Sequence, residues 1–324
     1  MNWKNKNVLV TGADHFISIH LIERLVKLGC SVRALVRHDY NGSIGSLDRL
    51  PAYIKKSIRV IFGNLTNPDT IDYAVKDTNV VFHIGILDVI PDHIINTRSY
   101  IEGTTIGTFN VINSAKNYKV EKFVHVSTAE VYGNVTTMPI SENSPLKAQS
   151  PHIGCDIGAE KIVEGYYASY NLPTTIIRLF NTYGPMQSLK AIVPTIIAQV
   201  LTEPKLLLGD MHAVRDFVYV DDVVDGMIKA VEVPESTGTV INMGSGNGIS
   251  IGDLADTIVS IVNREVEVLF DATRIRLKTP AIDQMVADAT KAKELLGWSP
   301  RTSLNAGLEK TIEWFAEHIK TSQV

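Results

Sequence analysis

A chain of 324 residues, 45% of them hydrophobic, is long enough for one large or two modest domains around a sizeable core. Its formal net charge of -4 supplies no basic stripe of the kind that nucleic acid or an anionic membrane surface requires, so neither is an expected partner. Cys30 and Cys155 are too few for a disulfide framework and lack metal-ligand spacing, and no apolar run reaches about 18 residues. With no hydrophobic leader ahead of the first strand, a metal-free protein of the reducing cytoplasm is expected.

Asn7-Val8-Leu9-Val10 is a short apolar run closed by Thr11-Gly12, and the helical pattern that follows runs through Leu21, Leu25 and Leu28 to a stop at Gly29. Further strands are predicted over 31–36, 59–62, 80–83, 123–126 and 175–178, separated by helical or loop segments. Such alternation predicts a parallel sheet covered on both faces, a doubly wound, Rossmann-like α/β fold. Between the last two of these strands, Ser150-Pro151 is a helix-start signal. The helix it opens carries His152 and Asp156 four residues apart on one face, where a histidine and a carboxylate can act together. From about residue 181 the rhythm changes to a helix over 192–201, a strand over 205–208, the run Val240-Ile241-Asn242-Met243 before a Gly-rich turn, and a closing amphipathic stretch over 306–319. The expected division is a dinucleotide-type unit over 1–180 and a smaller, discontinuous substrate lobe over 181–324, part of it returning to the sheet.

The stretch from Pro151 through Gly158-Ala159-Glu160-Lys161 to Arg178-Leu179-Phe180-Asn181-Thr182-Tyr183-Gly184-Pro185 resembles the extended short-chain dehydrogenase/reductases that work on nucleotide sugars. It is most similar to the UDP-N-acetylglucosamine 4,6-dehydratases of the legionaminic-acid type, and the resemblance extends over about residues 7–315. It implies that Asn181 contacts a sugar diphosphate, that Leu208 lies on the strand beside the base, and that Arg215 of Arg215-Asp216-Phe217-Val218-Tyr219 reaches the diphosphate. Arg274 and Arg276 lie near the family's late diphosphate-binding arginine, with Arg276 the better aligned. Guanidinium groups suit that task because their donors form a fork matched to phosphate oxygens. In Ser127-Thr128-Ala129-Glu130-Val131-Tyr132-Gly133 the resemblance implies a Thr128 hydroxyl for the sugar and Glu130 to take its C5 proton. Ala129 stands where an Asp or Ser would help protonate the leaving hydroxyl.

The departures from the family pattern gather on one ligand. Its Thr-Gly-x-x-Gly-x-x-Gly loop reads Thr11-Gly12-Ala13-Asp14-His15-Phe16-Ile17-Ser18, so only Gly12 is kept beside the cofactor-facing Phe16 and Ile17. An imidazole at position 15 crowds a pyrophosphate, and Asp14 sets a carboxylate against a dianion. Asn64 replaces the carboxylate that accepts from the adenine amine, Thr104 replaces an Asn behind the catalytic Lys, and His83-Ile84-Gly85-Ile86 replaces a His-Leu-Ala-Ala run. Arg37 offers a charge for the 2′-phosphate of NADP, although a lone Arg after a strand is commonly a solvated surface charge. The family's catalytic Tyr and Lys are here His152 and Asp156, and Lys161, half a turn from His152, does not replace the missing ammonium. The expectation is therefore a pseudoenzyme that binds a nucleotide sugar of the UDP-hexosamine class, binds NAD or NADP poorly, and has lost normal NAD-dependent catalysis. It would pair as a homodimer or with an active relative. The alternatives are an active 4,6-dehydratase or epimerase around a re-routed loop, or a redox-neutral acid–base enzyme using His152, Asp156 and Glu130.

Overall fold

Seven apolar runs pair side by side in one parallel sheet. In the computed structural model, which describes residues 2–37, 44–85, 97–274 and 282–321, these are β1 (Asn7–Thr11), β2 (Ser31–Val36), β3 (Ile58–Phe62), β4 (Val80–Ile84), β5 (Lys122–Thr128), β6 (Thr174–Leu179) and a later strand. Three short strands, β7 (Asn181–Tyr183), β8 (Lys205–Leu208) and β9 (Val214–Tyr219), precede that later one, β10 (Thr239–Met243). The sheet order is β10-β6-β5-β4-β1-β2-β3, with every pairing parallel. Both faces of the central strands are buried, which is why those runs are near-continuously apolar, while the edge strand β3 leaves Arg59 and Phe62 exposed. Successive residues of β1 serve opposite faces: Val8 and Val10 join one core cluster with Ile19 and Ile22 of the first helix, and Leu9 joins the other with Ile71 and Val111.

The chain reverses its direction of winding at β1, which has β2 on one side and β4 on the other. Ligands of doubly wound sheets bind outside the carboxyl ends of the strands at such a switch point. The turn leaving β1 is tight: Gly12 has φ +59°, and a Cβ there would come within 2.0 Å of the Ile84 carbonyl oxygen. No side chain can take that place.

Beyond β6, β7 pairs with β9, which is flanked by β11 (Gly248–Ser250) and β13 (Gln284–Met285), while β8 pairs with β12 (Glu267–Phe270). The buried carboxylate of Asp216 holds this lobe together. It accepts from the Ser245 amide at 2.7 Å, the Ser245 hydroxyl at 2.5 Å, the Gly246 amide at 2.9 Å and the Ala287 amide at 3.1 Å. The Gly-rich turn after β10 is thereby tied to β9 and to the segment behind β13. The helix Leu304–Thr321 closes the described chain.

Candidate functional site

A helix begins with N–H groups that have no partner inside it, and at the head of the first helix, Phe16–Lys27, these would face an anion at the switch point. Here the helix is capped from within. His15 is buried at the N-cap, and its Nδ1 accepts from the Ile17 amide at 3.2 Å. Ser18, in the third glycine place, donates its hydroxyl to the Gly12 carbonyl at 2.7 Å. The side chains of Phe16 and Ile17 belong to the core. Asn64 is exposed, and its Oδ1 accepts from the Thr66 amide at 3.0 Å, forming a local turn. Arg37 is exposed just past β2. His83 is not a surface for a ligand: it is fully buried, with its ring nitrogens 2.8 Å from the Thr11 hydroxyl and 2.9 Å from that of Thr108. Its ring stacks on His125 with centroids 5.5 Å apart.

A second cluster lies where β5 ends. Thr128 caps the 3-10 turn Ala129–Tyr132, its Oγ1 accepting from the Glu130 amide at 3.2 Å, and so fixes the half-buried Glu130 just past the strand. Ser150 caps the helix Pro151–Tyr170 in the way the Ser-Pro pair predicts, with Pro151 in its first turn. His152 and Asp156 do lie one turn apart, but the expected pair between them is not made among the described residues. The Ser150 hydroxyl lies 2.9 Å from His152 Nδ1, while the Asp156 carboxyl accepts from the Tyr100 hydroxyl, at 3.1 Å to Oδ1 and 3.3 Å to Oδ2. The Tyr100 ring stands edge-on to His152 with centroids 5.7 Å apart, and supplies the partner that spacing along one helix assigned to the imidazole.

Tyr100 ends the short helix Thr97–Tyr100 and is followed by a π-helical turn, Ile101–Ile106. Fifty-six residues separate Tyr100 from its partner, and no spacing in the sequence announces the contact. Burial pushes the Asp156 carboxyl up to about 7, with the Tyr100 hydrogen bond opposing and the charges of Glu130 and Glu160 reinforcing the rise. Burial and the Asp156 carboxylate likewise push the Tyr100 hydroxyl well above its ordinary value. Cys155, buried beside them, has its thiol raised by burial and acts as packing.

Behind the cluster runs a buried polar chain. Glu160 accepts from the Ser127 hydroxyl at 2.6 Å and from Arg178 Nε and Nη2 at 2.9 and 2.6 Å. Arg178 Nη1 also donates to the Tyr132 hydroxyl at 2.8 Å, and that hydroxyl donates to Asn242 Oδ1 at 2.7 Å. Ser127 immediately precedes Thr128, so this chain sets the height of the strand end.

In the second lobe Asn181 lies opposite Phe217, two residues from Arg215 on β9, which puts Asn181 and Arg215 on one face of that small sheet. Both are half-buried, and Arg215 Nη1 donates to the Val214 carbonyl at 2.8 Å. Leu208 lies at the end of β8, its side chain buried in the core and its carbonyl accepting from the Asp271 amide at 2.7 Å. Arg276 lies outside the described residues.

The profile of a family described as GDP-mannose 4,6 dehydratase matches residues 9–311. The chain belongs to this family. It is 31% identical over 325 residues to UDP-N-acetyl-alpha-D-glucosaminuronate decarboxylase of Bacillus cytotoxicus, covering 96% of this chain and 98% of that protein. It is 28% identical over 98% of its length to a trifunctional UDP-glucose 4,6-dehydratase/UDP-4-keto-6-deoxy-D-glucose 3,5-epimerase/UDP-4-keto-L-rhamnose-reductase of Arabidopsis thaliana, and spans about half, 48%, of that protein. Among solved structures, Pal from Bacillus thuringiensis matches with a TM-score of 0.87 at 32% identity, covering 98% of this chain and 99% of that one. MoeE5 in complex with UDP-glucose and NAD matches with a TM-score of 0.83 at 26% identity, covering 98% and 100%. This GDP-mannose 4,6-dehydratase relative is thus an extended short-chain dehydrogenase/reductase of the nucleotide-sugar dehydratase/epimerase type. No helix among its described residues is long and apolar enough to cross a membrane, and no cluster of His, Cys, Asp or Glu among them could hold a metal ion.

Proposed function

We propose that this family member binds a nucleotide sugar of the UDP-hexosamine class and has given up the hydride transfer that defines its redox relatives. His15 carries the reading. A dinucleotide pyrophosphate at the first helix takes hydrogen bonds from its leading amides, and the Ile17 amide is already given to the His15 imidazole. At the other end of that slot a buried carboxyl, Asp156, stands where the resemblance calls for an ammonium to hold the nicotinamide ribose. On this reading the residues present do not fit NAD, although MoeE5, a relative at 26% identity, is bound to it.

The substrate half is different in kind. Asn181 and Arg215 share one face beside a turn that Asp216 makes rigid, as a diphosphate site needs. The UDP-hexosamine class is supported by the UDP-N-acetyl sugar in the name of the Bacillus cytotoxicus relative. On this division residues 1–180 present the acid–base cluster and 181–324 hold the nucleotide, in a homodimer or beside an active relative. Free, buried Cys30 and Cys155 suit the reducing cytoplasm.

The test is twofold. Small molecules released on denaturing the purified protein are identified by mass, and melting temperatures are measured with UDP, UDP-N-acetylglucosamine and NAD. UDP and its sugar should raise the melting temperature while NAD does not, because a ligand stabilises the state it binds. Recovery of NAD near one per chain, or indifference to both uridine compounds, overturns the reading.

A further inference from the structure

Asp156 is a largely buried carboxyl with a phenol for its partner and with the charges of two other carboxyl groups acting on it. It is 8% exposed and Tyr100 is 5% exposed. Of the groups that act on it, Tyr100 comes from the turn before the π-helical segment, Glu130 from the 3-10 turn after β5, and Glu160 from its own helix. His152, on the same helix, stands against the Tyr100 ring. No ion pair to Asp156 is made among the described residues, and Arg178 is already committed to Glu160. A carboxyl so placed favours its neutral acid, and a neutral acid is a hydrogen-bond donor. Glu130, half-buried and with its charge acting on Asp156, is a second carboxyl in a wetter setting. Two carboxyls, one largely buried and one half-buried, can divide into donor and base. A π-helical turn beside the pair adds weight, since such turns are inserted mostly where a side chain must be re-aimed at a functional site.

We propose that Asp156, positioned by Tyr100, donates to the oxygen of a substrate carbonyl while Glu130 removes the proton from the carbon next to it, so that this site enolises a nucleotide-linked keto sugar. The inference rests on the nucleotide-sugar reading above. Glu130 carboxylate takes the C–H proton, the C–H electron pair becomes the C=C bond of an enolate, and the Asp156 O–H stabilises the enolate oxygen by a hydrogen bond while keeping its proton. Tyr100, donating to the Asp156 carboxyl, holds that donor in place. Return of a proton to carbon regenerates the ketone with retained or inverted configuration, and no electrons leave the sugar. No hydride carrier is needed, but a ketone is. The reaction that supplies the substrate must therefore be an oxidation, or an oxidation coupled to dehydration, on a separate enzyme.

The experiment incubates the full chain with UDP-4-keto-6-deoxy-D-glucose in D2O without nicotinamide and follows the sugar protons by NMR, with UDP-induced melting shifts measured in parallel. Signals of the carbons flanking the ketone should disappear at least about 100-fold faster than in buffer, and Glu130→Gln should lose roughly 100-fold or more. Asp156→Asn, still a neutral donor, should stay within about 10-fold, and Asp156→Ala should lose roughly 100-fold. Tyr100→Phe should move the alkaline limb of the exchange-rate profile to higher pH, because the Tyr100 hydrogen bond favours ionised Asp156; a merely structural loss would leave the limb in place. Asn as inactive as Ala at position 156 overturns the donor assignment, and the Asn and Phe variants decide the matter if the Ala variant does not fold. A UDP shift without exchange overturns the enolisation and leaves the binding reading standing. Absence of both overturns both.

Discussion

Replacing Glu160 by Leu removes the centre of the polar chain behind the site. Arg178, 2% exposed, would keep the Tyr132 hydroxyl at 2.8 Å and a long contact to the Glu142 carbonyl at 3.5 Å, and would lose both contacts to a carboxylate. A buried charge stripped of its counter-ion costs about 3–5 kcal/mol, and the Ser127 hydroxyl, bonded to Glu160 at 2.6 Å, loses its acceptor as well. Against a total of roughly 5–15 kcal/mol for a protein domain, the variant should fold but with its denaturation midpoint markedly lowered. Removing the pair together with Glu160→Leu and Arg178→Met takes away the stranded charge and fills the space with apolar volume. The double variant should therefore be more stable than the single one. Urea unfolding at pH 7, followed by circular dichroism and by tryptophan fluorescence to check that the transitions coincide, measures both. A single variant that loses less than about 1 kcal/mol, or a double variant less stable than the single, would refute the assignment of this pair as a buried, mutually dependent unit.

His125 and Asp156 predict opposing pH dependences. Burial pushes the His125 imidazole down to about 4, below its unfolded value near 6.5, so its contribution is complete above pH 6.5 and is lost, by on the order of 3 kcal/mol, as pH falls towards 4. His125→Leu should flatten that acid limb in urea midpoints taken from pH 7 to 4, and an unchanged slope would count against it. Asp156, raised to about 7, contributes stability below its unfolded value near 3.9 and loses it as pH rises through 7, so Asp156→Asn should gain more stability at pH 8 than at pH 5. Equal effects at the two values would refute that. Arg215→Ala should abolish the melting shift given by UDP, and an unaltered shift removes Arg215 from the site. His15→Gly with Ser18→Gly frees the Ile17 amide and should let NAD raise the melting temperature; if NAD still has no effect, the cap at His15 is not what excludes it.

The sheet was legible because each of its strands is a local apolar run bounded by turn residues, and burial on both faces leaves that mark in any parallel sheet. The Ser150-Pro151 helix start was legible for the same reason: a cap is written in adjacent residues. Tyr100 was not, because it follows β4 and Asp156 follows β5, and the two meet only once those strands lie side by side. Reading His152 and Asp156 as a pair used the helical period correctly and missed the competitor arriving from another element. Asp216 was read inside a run that pointed to Arg215, whereas its carboxylate accepts inside the protein from a turn some thirty residues away and from the Ala287 amide beyond it.

The return of β10 to the edge of the sheet ties the two halves of the chain together. Thr239–Met243 covers the open side of β6, so a fragment ending near residue 180 would present an unpaired row of amides and carbonyls along Thr174–Leu179. Such a bare margin invites pairing with other molecules. The acid–base half should accordingly be insoluble when expressed by itself, and evolutionary swapping of nucleotide-recognition segments has to spare Thr239–Met243.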